Sequence, residues 1–139
     1  LGIAIGGRAY RAYRELLDSD RWMRLANQGA RAQRLLWAST GTKDPEASDT
    51  LYISAFASPF TVNTMPDKTL EAFADHGEVV DLMDPRGGNS EQVLKEFEGA
   101  GIDLEALAQR LQDEGKESFD KSWNELLKTI ADKRGVTAG

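Results

Sequence analysis

Apolar residues recur at spacings of three and four through Ala9, Ala12, Tyr13, Leu16 and Leu17, with arginines between them, and predict a helix over residues 8–17. A second helical turn is expected through Trp22, Met23 and Leu25, with Gly29 as its stop. The run Arg34 to Ala38 is short and apolar and ends in Ser39-Thr40-Gly41-Thr42-Lys43-Asp44-Pro45, which suits a buried strand of a parallel sheet. Residues 50–56 fit either an extended segment or a short helix. Thr61 to Thr64 is β-prone. Pro66 then suits the first turn of a helix that carries Leu70, Phe73 and Ala74 and closes at Gly77. Asp84 to Ser90 reads as a loop, and three helices are expected beyond it. Ser90 caps the first, with Val93, Leu94 and Phe97 on one face, and Asp103 caps the second, with Leu104, Leu107 and Leu111. Gly115 separates the third, which aligns Phe119, Trp123, Leu126, Leu127 and Ile130. The tail from Gly135 is expected to fray.

Two strands alternating with helices, then a helical appendix, is the pattern of a parallel α/β protein. Two strands do not make a stable sheet core by themselves. The pattern therefore predicts an incomplete chain or one that needs a partner. The start Leu1-Gly2-Ile3-Ala4-Ile5, with no initiator Met and no basic n-region, reads as the middle of a longer chain.

Composition narrows the class. A chain of 139 residues that is 40% hydrophobic and 29% charged is long enough for one ordinary globular domain. No apolar run reaches the roughly 18 residues of a membrane span, so no membrane partner is expected. The absence of cysteine removes disulfides and thiolate chemistry and fits a cytoplasmic protein. The net charge of −6 conceals an asymmetry: residues 1–43 hold eight basic residues against three acidic ones, and the remainder holds nine against twenty. The arginines are dispersed along predicted helices and the whole is acidic, so no nucleic acid is expected as a partner and the basic third reads as solvated helix faces.

Two segments carry candidate chemistry. In Ser39 to Lys43, small hydroxyl residues at the carboxyl end of a strand let backbone approach an anion, and Lys43 adds a charge; the glycine spacing is not that of a Walker loop. The competing reading is an ordinary turn rich in Ser, Thr and Gly. In Asn63-Thr64-Met65-Pro66-Asp67, Thr64 can cap the next helix, whose free N–H groups would form a second anion site. His76 is the only histidine, which leaves no multi-histidine metal site; at the end of a helix it reads as a charge complementing the helix dipole rather than as part of a Ser–His pair. Asp75, Glu78 and Asp81 read as solvated acidic surface, and Trp37, Phe97, Phe119 and Trp123 as core.

The stretch Gly29 to Pro45, with Arg34-Leu35-Leu36-Trp37-Ala38-Ser39-Thr40-Gly41-Thr42-Lys43-Asp44-Pro45 at its heart, closely resembles transaldolases of the long bacterial type. So do Ser48-Asp49-Thr50-Leu51-Tyr52, Thr61-Val62-Asn63-Thr64-Met65-Pro66, Asp75-His76-Gly77 and Ser118 to Leu127. The chain is similar as well to the transaldolase half of fusions with glucose-6-phosphate isomerase. The resemblance implies that residues 1–139 are the C-terminal portion of a (β/α)8 TIM barrel: its last two strand–helix units plus C-terminal helices, an incomplete barrel. It implies transfer of a dihydroxyacetone unit between sugar phosphates of the pentose phosphate pathway, without a cofactor or metal. Fructose 6-phosphate, sedoheptulose 7-phosphate, erythrose 4-phosphate and glyceraldehyde 3-phosphate are the implied substrates. The Schiff-base lysine and its acid–base partners belong to the part of the family that precedes Leu1, so no catalytic residue is expected in this chain. Ser39 matches the serine that binds substrate phosphate. Shorter members have an arginine where Gly41 stands, and Lys43 is the proposed substitute cation. Ala32 stands where close relatives have proline. The implied phosphate set is Ser39, Thr40, Lys43 and Thr64. The missing N-terminal barrel segment, or a second copy, is the expected partner of the exposed faces. The rival is a truncated relative that no longer catalyses and acts as a binding or assembly module.

Overall fold

The computed structural model describes residues 1–136 and divides into two compact units, Leu1–Phe97 and Glu98 onward. The first unit contains α1 (Gly2–Leu17), α2 (Asp20–Asn27), β1 (Leu35–Trp37), α3 (Leu51–Ala55), β2 (Thr61–Asn63) and α4 (Asp67–His76), with α5 (Ser90–Gly99) at its end. The second is dominated by one long helix, α6 (Leu104–Val136). The fold is α/β: β1 and β2 are parallel and adjacent, with Leu35 opposite Thr61, Leu36 opposite Val62 and Trp37 opposite Asn63. α3 links them, the helical one of the two conformations that the sequence left open for residues 50–56.

Trp37 is the centre of the first unit. Its ring stacks on Phe56 of the α3 end at 4.7 Å between centroids, and lies 6.5 Å from the ring of Tyr10 on α1. Tyr52 extends the stack from Phe56 at 5.9 Å. Tyr10 is fully buried, and its hydroxyl donates to the Pro59 carbonyl at 3.2 Å. Arg14 donates to the same hydroxyl and lies over the rings of Tyr10 and Phe60. One turn further on, the Tyr13 hydroxyl reaches the Gln33 carbonyl at 2.9 Å. A single face of α1 thus holds the segments leading into both strands.

α1 begins at Gly2, six residues before the helix that periodicity predicts. Gly2, Gly6 and Gly7 are poor helix formers, so the extra turns are held by packing. A Cβ on Gly6 would strike the Phe56 ring, and one on Gly7 would strike Ser90. Ser90 is therefore not the cap that the sequence suggests; it is the first residue of α5, buried against α1. Beside this contact, Glu91 accepts from Arg8 Nε and an Arg8 terminal nitrogen at 2.9 and 2.8 Å and from Arg11 at 3.0 Å. The Arg8 hydrogen bonds hold the Glu91 carboxyl below its ordinary range. A depressed carboxylate contributes stability above its unfolded pKa, and that contribution is lost as pH falls through the folded one.

Helix ends follow local chemistry where it is strong. Ser19 Oγ accepts from the Trp22 amide at 3.2 Å and starts α2. Gly29, at φ +94°, ends it: the Ala30 amide bonds the Leu25 carbonyl and the Gly29 amide bonds that of Ala26. Asp103 Oδ1 accepts from the Ala106 amide at 2.9 Å and starts α6. Gly77 does close α4, but with φ −70°. It is needed for space, because a Cβ there would meet the Phe73 ring and carbonyl.

Three expectations fail. Gly115 does not separate two helices; α6 runs straight through it. A glycine costs only about 1 kcal/mol within a helix, and Leu, Gln, Glu and Lys on both sides outweigh it. Phe119 and Trp123 are not core: they are 80% and 60% exposed. Their spacing makes an apolar stripe, but a stripe is buried only when another element covers it. Leu36, expected inside a buried strand, is 54% exposed, because a two-stranded sheet can be covered on one face and open on the other. Of the tail expected to fray from Gly135, Gly135 and Val136 belong to α6, and residues 137–139 lie outside the described residues. Among the described residues no helix is long and apolar enough to cross a membrane.

Leu94 is fully buried. Leu94→Ala should lower the unfolding free energy by about 2–5 kcal/mol. Leu126→Ala, on the exposed stripe of α6, should change it by less than about 0.5 kcal/mol. Urea unfolding followed by circular dichroism separates the two, and equal effects would place the core elsewhere.

Candidate anion-binding site

Both strands run in the same direction, so the turns after Trp37 and Asn63 leave one edge of the sheet. The first turn starts with Ala38 and Ser39. Ser39 has φ +58°, the left-handed region that non-glycine residues rarely occupy. That bend returns residues 40–43 across the sheet edge. Backbone held in such a state costs on the order of 1–3 kcal/mol and persists where its surroundings fix it.

Thr40 supplies the fixing. It is 1% exposed, and its hydroxyl lies 2.7 Å from Asn63 Oδ1 and 3.0 Å from the Thr64 carbonyl. Thr64 answers from the other strand: its amide and its hydroxyl both donate to the Trp37 carbonyl, at 2.9 and 3.1 Å. The two turns are thus laced together by the hydroxyls expected to hold a phosphate. With its one proton committed to protein acceptors, neither hydroxyl donates into the space in front of the sheet. Nor does Thr64 cap α4. Pro66 occupies the cap position without a side-chain bond, and its carbonyl accepts from the Thr69 and Leu70 amides.

In front of this lacing is a cleft of about 390 Å³. Its lining includes Ser39, Gly41, Thr42 and Lys43 of the turn and Leu51 and Tyr52 of α3. The structure brings Ser39 and Lys43 to this cleft. Thr40 lies behind it, and Thr64 is not among the residues that line it. Gly41 packs toward α4, where a Cβ would come within 3.4 Å of Pro66 Cγ. Thr42 Oγ1 is buried and has no hydrogen-bond partner among the described residues. The sequence reading passed over Thr42 within a run of turn-forming residues. It passed over Leu51 and Tyr52 because their approach to the cleft depends on the α3 helix. Asp44 borders Lys43 and turns its carboxylate back to accept from the Glu46 amide at 3.0 Å.

His76, at the end of α4, bonds no serine. Its Nε2 lies 2.9 Å from Asp49 Oδ1 and its Nδ1 3.2 Å from Asp75 Oδ2. The Asp49 bond, then the Asp75 bond, raises the imidazole pKa above its ordinary 6.5, and the same contact lowers that of Asp49. Asp75, Glu78 and Asp81 are exposed. Among the described residues no His, Asp and Glu cluster is suited to a metal ion.

Two parallel strands joined through a helix, with a small-residue, lysine-bearing cleft after the first of them, define an α/β protein. The family described as Transaldolase/Fructose-6-phosphate aldolase matches residues 1–130, and the chain belongs to that family. It is 50% identical over 127 residues to a transaldolase of Mycolicibacterium smegmatis, covering 91% of this chain and 34% of that protein. It is 47% identical to transaldolases of a Parafrankia species and of Saccharopolyspora erythraea, covering 98% and 94% of this chain and 37% and 36% of theirs. The chain spans about a third of the length of the curated relatives it matches.

If Thr40 is the lace rather than a ligand contact, Thr40→Val should cost about 1–2 kcal/mol of stability by removing both of its part-buried hydrogen bonds. Thr40→Ser should recover most of it. Urea midpoints of the two variants test this, and a Val variant as stable as the parent would remove the lacing role.

Proposed function

We propose that this chain is the phosphate-binding C-terminal part of a transaldolase. In this reading β1 and β2 are the last two strands of a (β/α)8 barrel, and residues 1–139 belong to one barrel domain. The parent enzyme moves a dihydroxyacetone unit between sugar phosphates, through a Schiff base on a lysine outside this chain. The observation that carries the reading is the cleft at the carboxyl edge of β1, lined by Ser39 and Lys43, in a chain of this family. Barrel enzymes bind substrate phosphate at the carboxyl ends of their last strands.

The chemistry at this end is recognition. Ser39 donates its hydroxyl proton, and Lys43 brings a positive charge on a flexible stem, replacing the arginine expected two residues after the serine. Each charge-assisted hydrogen bond to a phosphate oxygen is worth roughly 1.5–3 kcal/mol net. Thr40 and Thr64 serve indirectly, by holding the turns that present these groups. Lys43 stands exposed on its loop, without the desolvation that activates a Schiff-base lysine. Fructose 6-phosphate, sedoheptulose 7-phosphate, erythrose 4-phosphate and glyceraldehyde 3-phosphate are the substrates of the parent reaction.

A second reading rests on the exposed apolar side chains Leu36, Phe119 and Trp123. They suit an assembly module that meets further barrel strands or another copy of itself, with no turnover of its own.

Inorganic phosphate titrated into the chain should perturb the resonances of Ser39 to Lys43, and Lys43→Ala should weaken binding by about tenfold. Borohydride reduction with fructose 6-phosphate should leave the mass of the chain unchanged. A stoichiometric adduct on any of its lysines would place the covalent chemistry here and overturn the proposal.

A further inference from the structure

We infer that His76 is a positioning residue for the cleft: through Asp49 it anchors the wall formed by Leu51 and Tyr52, and the anchor is strongest while the imidazole carries its second proton. The inference rests on the anion-site reading above and deepens it.

α4 borders both segments that line the cleft. At its start, Pro66 and Thr69 stand against Gly41 of the Ser39–Lys43 turn. At its end, His76 bonds Asp49, two residues before the lining residue Leu51. One helix therefore touches both segments. The segment that carries Asp49 is stiff. The Ser48 and Thr50 hydroxyls are 3.1 Å apart, the Thr50 amide donates to Ser48 Oγ, the Leu51 amide donates to the Ser48 carbonyl, and Thr50 is buried. A pull on Asp49 is thus a pull on Leu51 and Tyr52. A second tie reaches α3 itself, where Ser54 donates to the Glu78 carbonyl at 2.7 Å.

The proton matters because of where the two carboxylates sit. Asp49 faces Nε2, and Asp75, on α4 itself, faces Nδ1. An imidazolium donates to both. A neutral imidazole has one N–H, so it can donate to Asp49 or to Asp75 but not to both, and the bond it keeps loses its charge assistance. The helix end adds the negative pole of its dipole beside the same ring. Both carboxylates raise the pKa of His76. The contribution of the second proton is therefore fully present below about pH 6.5 and is lost as pH rises through the raised folded value. The pair is exposed, so the effect on affinity is modest, about two- to fivefold.

The test uses the 139-residue chain and sulfate, which keeps its charge across the window where phosphate titrates. His76 is the only histidine, so its ring resonances report one titration. The expected result has three parts. The imidazole titrates above 6.5, and it returns toward 6.5 in Asp49→Asn. Wild-type chain binds sulfate about two- to fivefold more tightly at pH 5.5 than the His76→Ala chain does, and the difference narrows at pH 8.5. Asp49→Asn behaves like His76→Ala, with circular dichroism matching wild type in both. An unchanged His76 titration in Asp49→Asn overturns the inference. Sulfate affinities equal in wild type and both variants at every pH overturn it while leaving the anion site standing. No sulfate binding by the wild-type chain at any pH overturns the anion site and this inference together.

Discussion

The burial of Trp37 is the contact on which the first unit depends. Its ring is the only large side chain of β1 that is fully enclosed, and it meets α1 through Tyr10 and α3 through Phe56. Its indole N–H donates to Ser58 Oγ at 3.3 Å and its carbonyl accepts two bonds from Thr64. A two-stranded parallel sheet has too few ladder bonds to persist alone. Here the aromatic stack supplies burial on one face, and the Thr40 and Thr64 hydroxyls supply cross-links beyond the ladder.

The candidate site follows from that arrangement. Once the ring of Trp37 is fixed, its carboxyl side must carry the chain out of the sheet edge, and the Ser39 bend turns it across the Thr64 turn. Thr40 then closes inward, which leaves Ser39 and Lys43 facing outward. The division of labour is thus geometric: the Thr40 and Thr64 hydroxyls hold the loop, and Ser39 and Lys43 line the cleft. α4 borders the result, with Pro66 against Gly41 of the turn and His76 tied to Asp49.

The second unit obeys a different constraint. Asp103 starts α6 by an ordinary cap, and the chain beyond it has enough strong helix formers to pass Gly115 unbroken. Nothing in that local chemistry requires its apolar stripe to be covered. Phe119 and Trp123 meet the requirement of periodicity and still face solvent. Burial is a property of the layers present and not of the stripe.

By itself the sequence determined the features that rest on chemistry within a few residues. The starts and stops at Asp103 and Gly29, the two strands on either side of residues 39–60, and the grouping of Ser39 and Lys43 in one turn were all legible, because caps, left-handed glycines and apolar runs act locally. The same motifs carried the family. Only the tertiary structure decided the rest. Gly2 to Gly7 became helix because Phe56 and Ser90 need close approach to the backbone there. Ser90 and Thr64 lost their expected capping roles because buried partners from elsewhere in the chain fixed their positions or took their protons. Residues Leu51 to Ala55 chose helix and so brought Tyr52 to the cleft. His76 found Asp49, 27 residues away. In each case the deciding atom is distant in sequence, and local pattern has no means of registering which partner will occupy the space beside it.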